Sequence, residues 1–589
     1  MVESGVPGTG GWAGAPPEAA FQESGPRRRV ALASVIAALF MVLLDISIVN
    51  VAIPAIRANL AANNADIQFV VAGYALAYAV VLITGGRLGD IFGRKRLFLI
   101  GMTGFIAASA LCGLAQSAIM LDLSRVLQGV MAALMYPQVL SVLQVSFPPQ
   151  QRGRVFGLVG AVIGIATIMG PLIGGLIIRN DITGGSWRWI FLVNVPIGIV
   201  ALIGAVSTVT ESRAPDATRL DMAGCAIVTV GLGLLVYPLV EGQVAGWPLW
   251  TYVCMGLSPL VLAAFVLYER SLPAARFPLV QLSLFRIRSF SVGVILSLVF
   301  MAGLPAFFFM FMLVLQVGLG FSALHAGLTT IPWSIGSAFA SMMASRFLAP
   351  KLGRWTIVLG SSVLVLGIIG VLLTLHLRGT EVTSIDLIPS FLVSGLGLGA
   401  VIAPLITIIL AGVPGRDAGS ASGVLTTFQQ LGGSIGVAVV GVVFFAQLSG
   451  QAPASAAAVT PQLQAQLAAA HLPQTQIDAV VGRFTHCFDA AASSSDPTVV
   501  PPGCPSNTQA PVNATSEAFS SAAHRALGVD YLTSVEETLW FNVGLWLLTA
   551  ILALLLPRRQ GTGPEQAASG TTIATPGRRE PATVKGDSR

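Results

Sequence analysis

Apolar residues fill most of the chain in runs of about twenty, and short polar stretches separate these runs. A helix needs about 20 mainly apolar residues to cross a bilayer. Fourteen such runs are present, so the pattern predicts fourteen transmembrane helices, numbered spans 1 to 14 in chain order. The predicted spans are 30–54, 67–85, 97–117, 121–145, 153–178, 188–210, 222–240, 249–268, 290–315, 325–345, 355–377, 385–412, 421–448 and 535–557.

Composition favours a membrane protein over a string of soluble domains. Charged residues make up only 10% of the 589 residues, whereas ordinary globular domains contain about 25%. Hydrophobic residues make up 54%, and the mean hydropathy is +0.80. The expected fold class is therefore an all-α polytopic membrane protein, with the lipid bilayer as its main surroundings.

The distribution of basic residues predicts the orientation in the membrane, because cytoplasmic segments carry an excess of Lys and Arg. With the N-terminus inside, the inner segments hold 25 of the 32 basic residues. Six lie on the outer side, and Arg125 falls within span 4. Since the number of spans is even, both termini are expected in the cytoplasm, and the expected location is a bacterial plasma membrane.

Two sequence motifs occur twice at nearly the same offset, as expected of a duplicated transporter. "GRLGDIFGR" (86–94) aligns with "RFLAPKLGR" (346–354) at a shift of 260, and "GPLIG" (170–174) aligns with "GGSIG" (432–436) at 262. The second copy of the longer motif has Pro350 in place of a carboxylate. The predicted domains are a disordered N-terminus at 1–29, a six-helix half at 30–210, two extra helices at 211–289, a second six-helix half at 290–557 and a disordered tail at 558–589.

Residues 449–534 form the longest polar stretch and are expected to be an outer loop between spans 13 and 14. The loop is rich in Ala, Ser, Pro and Gln, with a short amphipathic helix near 461–482. Cys487 and Cys504 lie within it, and the oxidising outer side favours a disulfide between them. Such a bridge would stabilise the loop by about 3 kcal/mol; two unpaired thiols are the alternative.

The loop after span 2 combines close-packing glycines with a carboxylate. In "GRLGDIFGRKRL" (86–97), Gly86 and Gly89 let two helices approach closely. Asp90 is able to accept hydrogen bonds from Arg94 or from a helix N-terminus. The simpler interpretation is a positively charged loop that only fixes the topology.

Span 5 carries a second glycine motif. Pro171 lacks a backbone N–H and bends a helix, and it follows Gly170 directly. Gly174 and Gly175 permit tight packing against a neighbouring helix. The alternative is a kink without further function.

Asp45 is the acidic residue that lies deepest in a predicted span, and Arg125 is the basic residue inside one. A charge in hydrocarbon is unfavourable by several kcal/mol, so intramembrane charges mark functional sites and pair with each other. Asp45 lies about 13 Å from the outer end of span 1, and Arg125 about 6 Å from that of span 4, at 1.5 Å per residue. We expect the two to pair; Asp45 then either exchanges protons or belongs to a fixed bridge.

Together the motifs resemble the major facilitator superfamily, specifically its fourteen-helix drug:proton antiporter branch. The resemblance rests on "LLDISIVNVAIP" (43–54), "GRLGDIFGRKRL" (86–97), "RVLQGVMAA" (125–133), "GPLIGG" (170–175), "WRWIFLVNVPIG" (187–198) and "LQVGLGFSALHAGL" (315–328). It implies neighbouring helices 1 and 4, an export direction for the Gly170–Pro171 motif, and a latch that closes the cytoplasmic side. The candidate latch residues are Gly86, Gly89, Asp90, Gly93 and Arg94.

Amphipathic and aromatic residues within the spans are candidates for a substrate cavity, because mixed walls suit hydrophobic organic compounds. These candidates are Asn50, Tyr74, Tyr78, Gln128, Tyr136, Phe308, Gln316, Trp333, Gln429 and Gln430. Ordinary helix packing is the alternative for each.

The function expected from the sequence is proton-coupled efflux of hydrophobic, often cationic, organic compounds by a monomer. No phosphate-binding loop and no hydrolase or metalloprotease motif occurs, so we expect no enzymatic activity, no cofactor, no metal site and no nucleic-acid partner. Two alternatives remain. One is a dedicated exporter of one endogenous metabolite, antibiotic or lipid, and the other is a membrane scaffold or receptor that binds partners through 449–534.

Overall fold

The computed structural model describes residues 25–60, 62, 64–179, 186–214, 220–242, 245–272, 278–492, 504 and 514–557, which are helical almost throughout. Residues 1–24 and the tail 558–589 lie outside this part, and with them most of the segments expected to be disordered. The first helix begins at Pro26, so the three arginines that precede the apolar run are already helical.

Seven helices cover the predicted spans 1 to 6. They are α1 (Pro26–Leu60), α2 (Asn64–Phe92), α3 (Arg94–Gly113), α4 (Ala118–Ser146), α5 (Pro149–Arg179), α6 (Ser186–Leu192) and α7 (Asn194–Thr208). Span 6 is thus divided between α6 and α7, and α7 begins with a buried asparagine. The two extra spans are α8 (Met222–Glu241) and α9 (Leu249–Ser271).

Nine helices follow. They are α10 (Arg288–Leu313), α11 (Ala323–Thr329), α12 (Ile331–Met343), α13 (Ala349–Leu352), α14 (Trp355–Arg378), α15 (Ser384–Ala411), α16 (Ala418–Ala469), α17 (Gln474–Ala492) and α18 (Ala514–Ala553). Single π-helical turns extend α10 at Val314–Gly318 and α12 at Ala344–Leu348. Span 10 therefore consists of α11, α12, a π turn and α13.

Twelve helices within the described residues are long and apolar enough to cross a membrane. The helices α5 and α11–α13 lie at the positions of predicted spans 5 and 10 and are not among these twelve. The fold class is confirmed as an all-α polytopic membrane protein, whereas the count of fourteen spans stays a prediction.

The helices pack in two groups that meet along a shared surface. In the first group α1 packs against α5 and α7, and α4 packs against α2 and α3. In the second, α15 packs between α12 and α14, and α16 between α10 and α18. The groups meet where α16 contacts α2 and α4, and where α5 contacts α12 and α15. The helix α8 packs on α9 and on α2.

Within 449–534 the described residues are almost all helical, whereas a loop with one short amphipathic helix was predicted. The helix α16 continues from its apolar part to Ala469, and α18 begins at Ala514, far ahead of its apolar part. Alanine has the highest helix propensity of all residues, and it dominates this segment. The amphipathic helix predicted near 461–482 straddles the turn between α16 and α17. We call the described residues of 450–534, which lie on the outer side in the predicted orientation, the outer cap.

The outer cap has a hydrophobic core of its own, formed by α16, α17 and α18. The core consists of Ala452, Ala456, Val459, Leu463, Leu467, Ile477, Phe484, Phe488, Ala518, Ala522 and Ala526. A disulfide joins Cys487 of α17 to Cys504, with the two Cα atoms 5.6 Å apart. The cap is therefore a small packed unit above the membrane bundle.

Replacing Cys487 by serine should destabilise the outer cap and leave the bundle intact. The bridge closes a loop of 17 residues, for which the chain-entropy model gives about 3 kcal/mol. Limited proteolysis should cut the variant faster within the cap than the wild type, and reductant should reproduce the effect in the wild type. Cys254→Ser, which removes a free thiol on α9, is the matched control; equal cutting rates would contradict the prediction.

Candidate functional site

An ion pair between Asp45 and Arg125 lies inside the first group of helices. Arg125 Nη1 of α4 donates to Asp45 Oδ2 of α1 over 2.6 Å. The Asp45 side chain is 0% exposed and the Arg125 side chain 2%. The two charges that the sequence places within spans are therefore brought together and removed from solvent.

Amide groups satisfy the rest of this pair. Gln128 Nε2 donates to Asp45 Oδ1 over 2.8 Å, and Asn194 Nδ2 donates to the same oxygen over 3.2 Å. Arg125 donates from Nη1 to Gln128 Oε1 over 2.8 Å and from Nε to the Val70 carbonyl over 2.9 Å. Breaking a buried ion pair is destabilising by about 3–5 kcal/mol, so this network fixes α1, α2, α4 and α7 to one another.

Sequence reasoning missed Asn194 and Ser109, which complete this network. Ser109 accepts a hydrogen bond from Gln128 Nε2 over 2.8 Å, and Cys112 contacts Gln128 Oε1 at 3.6 Å. Asn194 is an amide within an apolar motif, directly after the break between α6 and α7. Its polarity was the available signal, but its partner depends on which helices meet.

Three tyrosines continue the site along α2 and α4. The Arg125 guanidinium lies over the Tyr74 ring at 4.2 Å. Tyr74 stacks on Tyr78 with ring centroids 5.9 Å apart, and Tyr78 meets Tyr136 edge-on at 6.1 Å. Together with Gln128, four of the predicted cavity residues thus form one buried cluster beside the ion pair.

The other cavity candidates lie elsewhere. Trp333 is buried, with Phe308 edge-on at 5.2 Å and Phe307 stacked on it at 5.0 Å. Gln316 is exposed, Gln429 and Gln430 are half-buried, and the Asn50 side chain is outside the described part. Among the described residues no ring contact joins the tyrosine cluster to Trp333, so a common cavity wall stays a prediction.

Asp90 lies at the second site, where the two groups of helices meet. Its Oδ1 accepts from Arg94 Nη2 over 2.7 Å and from the Gly419 N–H over 3.1 Å. Its Oδ2 accepts from the Ser420 N–H over 2.9 Å. A carboxylate at a helix N-terminus satisfies free N–H groups and interacts favourably with the helix dipole. Asp90 of α2 therefore holds the N-terminus of α16.

Arg94 and the glycines close this contact. Arg94 Nη2 also donates to the Gly415 carbonyl over 2.8 Å. A Cβ atom on Gly86 would collide with the Gly419 carbonyl, and one on Gly89 with the Gln138 side chain. Gly93 has φ +108°, which a residue with a side chain rarely adopts. The five candidate latch residues are thus brought together in one place.

Further polar contacts across the same surface come from α4. Ser141 Oγ donates to the Ala418 carbonyl over 3.1 Å, and Gln144 Nε2 donates to the Leu410 carbonyl over 3.0 Å. In the predicted orientation this surface is cytoplasmic. Both α2 and α4, which carry the tyrosine cluster, are therefore fixed to the second group of helices at this end.

Glu211 is a residue of the latch region that sequence reasoning missed. Its carboxylate accepts from the backbone N–H of Lys95 over 3.1 Å and of Arg96 over 3.3 Å, and so covers the N-terminus of α3. The residues are more than 100 positions apart, and no motif in the sequence links them.

The repeated motif in the second half does not form an equivalent contact. Arg354 Nη1 donates to the carbonyls of Leu554 and Leu556 at the end of α18, within the same group of helices. Pro350 supplies no carboxylate in this copy. The two halves are thus asymmetric, and the described latch contacts use only the first copy.

The glycine motif of α5 lies between α1 and the second group of helices. A Cβ on Gly170 would collide with Ser47 of α1, and one on Gly174 would lie 3.0 Å from Ile48. Gly175 faces Leu324 of α11 at 3.4 Å. The helix continues through Pro171, whose side chain is outside the described part. The motif therefore sets how closely α5 approaches both neighbours.

A helical bundle in two groups, with a buried ion pair in one group and polar contacts between the groups, is the architecture expected of a membrane transporter built from two halves. Two matches to the family model described as Major Facilitator Superfamily, at residues 35–218 and 204–437, agree with this class. The chain therefore belongs to the major facilitator superfamily.

The chain is similar to several bacterial transport proteins. It is 40% identical to a protein named Probable actinorhodin transporter from Streptomyces coelicolor over 557 residues, 92% of this chain and 96% of that protein. It is 34% identical to the Tetracenomycin C resistance and export protein of Streptomyces glaucescens, covering 70% and 75%. Identity to the Multidrug resistance protein Stp of Mycobacterium tuberculosis is 32%, covering 70% and 75%.

A solved structure shares the fold. The crystal structure of the human organic anion transporter MFSD10 matches with a TM-score of 0.50 and 15% identity, covering 72% of this chain and 94% of that one. At this identity the match supports the fold alone.

Asp90→Asn should weaken the latch, because hydrogen bonds to a charged group contribute about 1.5–3 kcal/mol. Since about 1.4 kcal/mol corresponds to a factor of ten in an equilibrium constant, we expect the ratio of closed to open molecules to fall roughly tenfold or more. A thiol placed at Gly415 should become correspondingly more reactive toward a polar reagent. Asp417→Asn is the matched control, because its side chain forms no cap bond at the same helix end; equal effects of both changes would contradict the prediction.

Proposed function

We propose that this protein is a proton-coupled exporter of small hydrophobic organic compounds. The observation that carries the proposal is the Asp45–Arg125 pair, which is wholly buried where four helices meet. An intramembrane ion pair is maintained at a high energetic penalty and marks a site of ion movement or substrate binding. Names of relatives with roles in resistance and export support the same class of function.

In the described conformation the pair is closed to solvent, so proton exchange requires the helices to separate. Arg125, Gln128 and Asn194 all donate hydrogen bonds to the Asp45 side chain. A proton that reaches Oδ2 removes the charge and releases Arg125, which keeps its bond to the Val70 carbonyl. Protonation and binding of a cation at Asp45 then exclude each other, which is the requirement for antiport.

The helices that hold the pair also hold the latch. The helix α2 carries Tyr74 beside Arg125 and Asp90 at its other end, and α4 carries both Arg125 and Ser141. A movement at the Asp45–Arg125 pair thus acts on α2 and α4, the two helices whose other ends contact α16. We propose that opening at the latch and opening at the Asp45–Arg125 pair alternate. We also propose that the protein lies in a bacterial plasma membrane with both termini in the cytoplasm.

The cargo we propose is hydrophobic and often cationic. Tyr74, Tyr78 and Tyr136 offer aromatic faces next to a carboxylate, and such faces attract cations. Asp45 of span 1 is the acid beside the tyrosines. Among the described residues, spans 2 and 10 add no second acid to this site. We therefore expect monovalent compounds rather than divalent ones, handled by a monomer built from the two halves at 30–210 and 290–557.

A second candidate function is the export of one endogenous metabolite. It is favoured by the 40% identity to a protein named Probable actinorhodin transporter, which extends over nearly the full length of both chains. The two candidates differ in breadth. Efflux of unrelated hydrophobic compounds from cells that express the protein distinguishes them. A multidrug pump should export many of these compounds, whereas a dedicated exporter should export one compound class.

Asp45→Asn should abolish proton-driven efflux while the protein still inserts. The change removes the exchangeable charge and leaves Arg125 buried without its counter-ion. Everted vesicles loaded with a fluorescent hydrophobic cation measure accumulation with and without a proton gradient. We expect wild-type accumulation to collapse when the gradient is dissipated, and the variant to accumulate at the dissipated level throughout.

Asp122→Asn serves as the control, because it makes the same chemical change on α4 without touching Asp45. It should retain gradient-driven transport. Unchanged efflux in Asp45→Asn at equal membrane levels would remove the proton-exchanging role and leave Asp45 as part of a fixed bridge.

A further inference from the structure

Polar residues recur at every fourth position along α18. Asp530, Ser534, Thr538 and Asn542 are all 0% exposed, and Trp546 continues the series with its indole also 0% exposed. Residues four apart share one face of an α-helix. These five residues therefore form a buried polar stripe, here named the α18 stripe, on a helix that packs against α10, α14 and α16.

Several atoms of the α18 stripe find no hydrogen-bond partner among the described residues. They are Asp530 Oδ2, Ser534 Oγ, Asn542 Oδ1 and Nδ2, and Trp546 Nε1. A buried polar atom left unpaired destabilises a protein by about 1–3 kcal/mol. Buried groups of this kind are normally satisfied by ordered water. Thr538 Oγ1 in the middle of the stripe donates to the Ser534 carbonyl over 2.7 Å, so the unpaired atoms lie on both sides of it on one helix face. Their arrangement indicates water molecules along this face.

The stripe connects two regions. Sixteen residues separate Asp530 from Trp546, so it extends about 24 Å along the helix axis. Its Asp530 end lies at the base of the outer cap, where Ser455 of α16 donates to Asp530 Oδ1 over 3.2 Å. At the other end Trp546 packs against Phe307 at 6.2 Å, and Phe307 stacks on Trp333.

Among the described residues no cation pairs with Asp530. Ser455 is its described partner, and it takes part in none of the described ion pairs. Tyr531 is its neighbour on α18, and Glu536 pairs with His376 of α14 one turn and a half further along. The other titratable or charged groups on α18 and on the elements packed around it are Arg288, Arg378, Glu381, Asp478, Arg483, His486, Asp489, Glu517, His524, Arg525 and Glu537.

We propose that the α18 stripe holds a file of water open to the outer side, and that Asp530 at its entrance binds a proton from this water and releases it back to the water. The file ends at the aromatic cluster of Phe307 and Trp333, not at Asp45. A carboxylate with one unpaired oxygen in contact with water binds and releases a proton without breaking an ion pair. The proton-binding role of Asp530 rests on the proposed function, whereas the presence of water in the α18 stripe does not.

Water in the stripe is tested by thiol chemistry, because only the thiolate reacts with methanethiosulfonates and lipid suppresses its formation. Ser534→Cys and Asn542→Cys are treated in intact cells with a small, charged, membrane-impermeant methanethiosulfonate, and peptide modification is read by mass spectrometry. Phe541→Cys is the matched control, since Phe541 is next in sequence but 38% exposed on the outside of the helix. We expect both stripe thiols to react several-fold faster than the control.

The role of Asp530 is tested by the dependence of efflux on outer pH. Wild-type efflux should rise as the outer pH falls, and Asp530→Asn should flatten this profile, while Asp530→Glu should restore it. A structural role alone would lower efflux equally at every pH. Thermal unfolding of the purified variants measures any loss of folding separately.

Each outcome decides one claim. If Asn542→Cys reacts no faster than Phe541→Cys in intact cells, the water file open to the outer side is refuted. If the Asp530→Asn profile superimposes on the wild-type profile, the proton-binding role is refuted. If wild-type efflux is independent of the gradient, the proposed function fails, and the thiol rates still decide whether the file exists.

Discussion

The structure depends on the compensation of one buried charge. Asp45 lies in a helix that is otherwise apolar, and its carboxylate persists there because Arg125, Gln128 and Asn194 all donate to the same group. These partners come from two places in the chain, α4 and α7, so the requirement to pair one carboxylate fixes the mutual positions of α1, α4 and α7. Asn194 is the first residue of α7, directly after the break from α6, and donates to the carboxylate from there.

The latch solves a related problem with backbone groups. The free N–H groups at the start of α16 need acceptors, and Asp90 supplies both of its oxygens to them. Arg94 then balances the charge of Asp90 and reaches a carbonyl on the other side of the contact. This contact is polar and local: charged side chains and backbone groups at one end of α2 meet the start of α16.

Sequence reasoning succeeded where a residue type is improbable in its surroundings. A carboxylate and a guanidinium in apolar runs, or glycines beside a carboxylate, stand out against the lipid-soluble background, and Asp45, Arg125 and Asp90 were found in this way. Partners such as Asn194 and Glu211 escaped because their role depends on which distant helices meet. The helices of the outer cap were not predicted for another reason. The segment is polar and contains prolines, which is typical of a loop, whereas its many alanines favour helix. Asp530 was hidden by that same error, since it lay in the supposed loop.

The helix α16 joins the latch to the outer cap without a break. At 1.5 Å per residue its 52 residues extend about 78 Å, more than twice the thickness of the hydrocarbon core. One helix, which contains Pro453 and Pro461 in its distal part, thus reaches from the end that Asp90 caps to the core of the outer cap. A change of tilt at the first end therefore displaces the second, so the two regions are mechanically connected.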